Sequence, residues 1–161
     1  LLLYWGPFGH GNNSAKIMEV NDLIDSFDWL QVRKNEAYPV FTNASTNSRL
    51  PWPDDLQSTE PGQINAFFRW ETLKDTPQEM ALKLSLVSST ELKTRFEIPG
   101  EASADVTMRR LQNFKLAPGA PFRWSFGQAQ GEGKSDAQGL ISVPGLKIAN
   151  TPATLRILAG G

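Results

Sequence analysis

The single histidine of the chain, His10, sits in the triplet Gly9-His10-Gly11. It follows an apolar run, residues 1–5 (LLLYW), that Gly6-Pro7 breaks. A lone histidine in a glycine-rich loop has two readings. It is a hydrogen-bonded or exposed side chain without a chemical role, or it is a general base placed to shuttle a proton to and from a nucleophile. The second reading needs a nucleophile, and a nucleophile elbow would read Gly-x-Ser-x-Gly. The nearest match is Arg123-Trp124-Ser125-Phe126-Gly127, which lacks the first glycine and lies in a strand-like alternation. It is rejected, so the chain holds at most one member of a Ser–His–acid triad.

Trp52 is the next candidate, because Pro51-Trp52-Pro53 lies in a polar loop where a rigid tryptophan could stack on a sugar. A domain-interface anchor is the blander explanation and the favoured one. Asp54-Asp55 reads as a solvated turn, since a calcium site needs more convergent oxygen ligands than this spacing supplies. Arg109-Arg110 with Lys115 is a small basic cluster, but strand alternation assigns the two arginines to opposite faces. The glycine-rich stretch 127–139 reads as a mobile hairpin tip. It is not a phosphate loop, because Lys134-Ser135 does not open a helix. No cofactor and no metal site is assigned.

Composition narrows the classes further. With no cysteine there are no disulfides, thiolate nucleophiles or cysteine metal sites. A net charge of −1 gives no bulk electrostatic case for nucleic acid or an anionic membrane. No apolar run approaches the roughly 20 residues that span a bilayer.

The elements that must position these residues fall into two groups. Ile17, Val20, Leu23, Ile24, Phe27 and Leu30 recur at spacings of three and four, which predicts one amphipathic helix that Asn13 or Ser14 could cap. With the apolar run and the His10 loop this makes a strand, loop and helix. The continuous apolar run suits a strand buried on both faces, as in a parallel sheet. From Ile64 the period becomes two. Ile64, Ala66, Phe68 and Trp70 alternate with Asn65, Phe67, Arg69 and Glu71, while Leu82, Leu84 and Leu86, Phe122, Trp124 and Phe126, and Leu155 and Ile157 alternate with polar residues. Further strands fit 38–42, 95–98, 106–110 and 140–143. Residues 43–63 are rich in Asn, Ser, Thr, Pro and Asp and read as a long surface loop. Seven or so short alternating strands predict a mostly β chain, an antiparallel β-sandwich of broad immunoglobulin-like or fibronectin-like class. Trp70 and Trp124 are expected in its core.

Several segments carry a resemblance. Tyr4-Trp5-Gly6-Pro7-Phe8-Gly9-His10-Gly11-Asn12-Asn13, then Ile17-Met18-Glu19-Val20-Asn21-Asp22-Leu23-Ile24 and Phe27-Asp28-Trp29-Leu30, resemble the C-terminal end of bacterial α/β-hydrolases of the acetyl-xylan-esterase-like and PhoPQ-activated-pathogenicity-related-like group. Asn65-Ala66-Phe67-Phe68-Arg69-Trp70, Ala104-Asp105-Val106-Thr107 and Gly139-Leu140-Ile141 are similar to the β-sandwich extension that some of them carry. The resemblance implies that His10 matches the triad histidine, with no counterpart here for the serine or the acid.

The expectation is therefore a two-part chain: residues 1–36, the strand–loop–helix end of an α/β-hydrolase sheet, and residues 37–161, a β-sandwich. The function expected is that of a C-terminal fragment of a serine hydrolase, an esterase acting on a small ester or acyl-sugar before a peptide bond. The fragment would be inactive alone, with the upstream hydrolase domain as its partner. The rival expectation is a non-catalytic binding or interaction module for carbohydrate or protein. A bacterial origin follows from the resemblance; the compartment, including export, is left open.

Overall fold

The computed structural model describes residues 33–47, 67–91 and 97–160. The expected apolar strand, His10 loop and helix lie outside those residues, apart from a turn at residues 33–36. Among the described residues there are eight strands and no helix. They are β1 (Tyr38–Thr42), β2 (Phe68–Asp75), β3 (Glu79–Leu86), β4 (Glu101–Arg109), β5 (Pro121–Phe126), β6 (Ala129–Lys134), β7 (Ser142–Ala149) and β8 (Ala153–Ala159).

All pairings are antiparallel and form two sheets, one ordered β1-β4-β7 and the other β2-β3-β8-β5-β6. This is the predicted antiparallel β-sandwich. Because side chains alternate along a strand, the register sorts them into an apolar inner face and a polar outer one. In the larger sheet one inner row runs Thr72, Leu82, Leu155 and Phe126 across four strands. In the smaller sheet Phe41 pairs with Val106, which pairs with Val143. The five-stranded and three-stranded sheets meet where Phe41 stacks on Phe68, ring centroids 4.5 Å apart, with Trp70 tilted against Phe41 at 6.3 Å. Beside them the Thr72 hydroxyl donates to the Ala37 carbonyl across the same seam at 2.7 Å. Trp124 also packs half-buried against the core, as the alternation predicts.

Two expectations are corrected. Residues 97 and 98 carry no strand, and the chain enters β4 only at Glu101. Pro99-Gly100 explains the delay, since proline lacks the N–H a ladder needs. Of the stretch expected to be a mobile tip, residues 129–134 are β6, paired with β5 along its whole length, with turns at Gly127-Gln128 and Ala137-Gln138. Gly127 there has φ of 57°, the left-handed geometry that a two-residue hairpin loop demands. The strand was hidden because its inward positions are glycines. A Cβ on Gly131 would lie 2.8 Å from the Trp124 ring, and one on Gly133 would lie 2.5 Å from the Phe122 ring. The β5 aromatics thus supply the apolar cover that β6 lacks, a pattern known for glycines on sheet edges.

Phe122 is only 1% exposed and has nowhere to retreat. Gly133→Ala is therefore expected to destabilise the protein by about 1–3 kcal/mol in urea unfolding. Unchanged stability would show that the ring does not lie over β6.

Candidate functional site

His10, Trp52, Asp54 and Asp55 lie outside the described residues. The remaining candidates have definite places. Arg109 closes β4, but Arg110 stands beyond the strand with φ of 51°. Its placement therefore does not follow strand alternation, as the sequence reading assumed. Its guanidinium lies over the Tyr38 ring, 5.8 Å from the centroid. This is a surface contact worth about 0.5–1 kcal/mol, not half of a phosphate clamp. Lys134-Ser135 ends β6 and opens a turn. The Ser135 hydroxyl donates to Ala117 O at 2.6 Å, and Asp136 Oδ1 accepts from the Gln138 and Leu140 amides.

The most perturbed titratable group among the described residues is Glu79, which sequence reasoning passed over. It opens β3 on the outward face, yet its side chain is only 9% exposed. Its position is set by the hairpin: Thr76 and Glu79 exchange backbone hydrogen bonds around Pro77-Gln78. Arg156 Nε, from the neighbouring β8, donates to Glu79 Oε1 at 2.8 Å, and Lys74 Nζ, from β2, donates to Oε2 at 2.5 Å. The hydrogen bond from Arg156, then that from Lys74, holds the carboxyl below its ordinary value of 4.5 and outweighs burial, which acts the other way. Glu79 is thus a charged clamp across three strands. It follows a Thr-Pro-Gln turn, which fixes its backbone but does not mark its role, because the cations that enclose it sit 5 and 77 residues away.

Two further carboxylates serve the chain's own backbone. Asp75 accepts from the amides of Gln112, Asn113 and Phe114, at 2.7, 3.1 and 2.7 Å. That fixes the loop carrying the fully buried Phe114 into the core. Asp105 sits at a register shift in β4, where Oδ2 accepts from the Asn43 side chain and Oδ1 from the Gly145 amide. It ties β4 to the end of β1 and to β7.

A different arrangement occurs at the β5–β6 corner. A depression of about 520 Å³ is lined by Pro121, Phe122, Arg123, Glu132, Gly133, Lys134 and Gly160. Its charged groups come from facing strands, with Arg123 opposite Glu132 and Pro121 opposite Lys134. No group of three or more His, Cys, Asp or Glu among the described residues could hold a metal ion. Trp70 and Trp124 both belong to inward-facing rows, so neither offers an exposed aromatic platform.

No protein-family model, curated protein or solved structure matches the chain in comparisons with known proteins.

Glu79→Gln keeps the side-chain volume and removes the charge. Lys74 and Arg156 are half exposed and can rehydrate. The expected cost is therefore about 1–2 kcal/mol rather than the roughly 3–5 of a fully buried pair. Since the folded pKa lies below the unfolded one, this stabilisation is present in full above about pH 4.5 and fades as pH falls through the folded value. Urea unfolding followed into acid should show the wild type losing its advantage over the variant. A gap that stays constant with pH would contradict the clamp.

Proposed function

We propose that the chain is the C-terminal part of a serine hydrolase acting on an ester, an acyl-sugar before a peptide bond, with His10 as the base of its triad. The β-sandwich is its non-catalytic companion. The support for His10 is the resemblance of the segments around it to the end of α/β-hydrolases. The observation that carries the sandwich's part is the state of Glu79. Two cations favour its ionised form, so at neutral pH it is a poor acid, and both oxygens are engaged, so it is a poor base. Asp75 is likewise committed to backbone amides, and Asp105 to the Gly145 amide and the Asn43 side chain.

In this reading His10 takes the proton of a serine hydroxyl as its oxygen attacks the ester carbonyl, then returns it to the departing alcohol. The triad order in such hydrolases is serine, acid, histidine, which assigns the other two members to sequence before Leu1.

The test begins with the reading frame upstream of Leu1, where a Gly-x-Ser-x-Gly motif followed by an Asp or Glu is expected. In the protein encoded by that whole frame, His10→Ala should lower kcat on p-nitrophenyl acetate by about a thousandfold or more, with little change in melting temperature. Full activity in the variant, or no such motif upstream, would overturn the reading.

A further inference from the structure

We propose that the β5–β6 corner is a binding site for a small ligand carrying one carboxylate and neighbouring hydroxyls, gripped by Arg123 and Lys134. The inference stands on the sandwich alone and does not depend on His10 being a base.

Its first ground is how charge is used on the surface. Lys74, Lys83, Lys147 and Arg156 each face a carboxylate within ion-pair distance, whereas Arg109 and Lys115 face none among the described residues and have no carboxylate opposite them in the register. Arg123 and Glu132 sit directly opposite in the register, where opposite charges ordinarily close on each other. Yet among the described residues neither of them, nor Lys134, forms an ion pair; the three instead surround the depression.

The second ground is how firmly the backbone around it is held. Two glycines line it, and neither position has room for a side chain. A Cβ on Gly133 would meet the Phe122 ring at 2.5 Å, and one on Gly160 would meet the Pro121 carbonyl oxygen at 2.8 Å. The Gly160 amide also donates to that oxygen at 2.9 Å, which fixes the end of β8 against the start of β5. The wall is therefore backbone, proline and the edge of a packed ring.

The third ground is the match of charge and size. Two cations and one carboxylate leave a net charge of +1, suited to a monoanion, whereas Glu132 would repel a dianion. The arginine fork matches a carboxylate bidentately, and lysine adds a point charge. Glu132 remains as an acceptor for hydroxyls. A volume of about 520 Å³ falls in the range of small-molecule sites. A sugar acid has this chemistry.

The probe is D-glucuronate, titrated into the chain at constant ionic strength and followed by amide shifts in ¹H–¹⁵N spectra. The Gly133 and Gly160 amides should move and saturate, whereas D-glucose, lacking the carboxylate, should leave them unmoved. Arg123→Ala and Lys134→Ala should each weaken binding about tenfold, the effect expected for one charge-assisted hydrogen bond. Arg123→Lys should recover part of it, and Lys147→Ala, on the other sheet, should change nothing. No saturable shift up to about 50 mM, a weaker limit than the millimolar affinity of roughly 4 kcal/mol, would overturn the proposal. So would equal binding of glucose, or binding unaffected by the Arg123 variants.

Discussion

Among the described residues no strand pairing passes from the three-stranded sheet to the five-stranded one, so these two layers are held together chiefly by what their inner faces bury. The stack of Phe41 on Phe68, with Trp70 leaning on it, is where those faces meet ring on ring. Burying one such ring is worth about 1.5–3 kcal/mol, and an aromatic pair adds about 0.5–1.5 beyond its area. The Thr72 hydrogen bond to Ala37 runs beside the rings and fixes how far β1 can slide over β2. The rest of the sandwich follows from this closure. Once the inner rows are apolar and shut, alternation sends every second residue to an outer face, where charge has to be arranged.

That arrangement divides the carboxylates by task. Glu79 joins β2, β3 and β8 through its two cations, Asp75 holds the loop that inserts Phe114, and Asp105 gathers β1, β4 and β7. Each is bound to groups that are distant in sequence, so each trades chemical freedom for a long-range tie. The β5–β6 corner departs from this pattern, with charges that surround space instead of closing on a partner. A proposed ligand site there and a proposed triad histidine in the preceding segment are separate claims. They rest on separate observations.

The period-two runs made the sandwich legible before any coordinates, because one buried face leaves a regular imprint on a strand. The inward tryptophans at 70 and 124 were read the same way. What stayed hidden had particular causes. The glycines of β6 erase the alternation, because their apolar cover comes from Trp124 and Phe122 on another strand. Phe67, just before β2, is buried although alternation would turn it outward, since it belongs to the turn where its carbonyl accepts from the Val87 amide. Glu79 was invisible as a site because nothing local marks a carboxylate whose partner Arg156 is 77 residues away. The depression likewise depends on a register between strands and on Gly160, and neither can be read along the chain.

The most direct test of the central claim, that the layers are locked by the Phe41–Phe68 stack, is a double-mutant cycle. Phe41→Leu, Phe68→Leu and the pair would be compared by urea unfolding of the whole chain. The account predicts a coupling of about 0.5–1.5 kcal/mol, with the double variant losing less than the sum of the singles. Losses that simply add, within about 0.3 kcal/mol, would contradict it and place the lock between the sheets elsewhere.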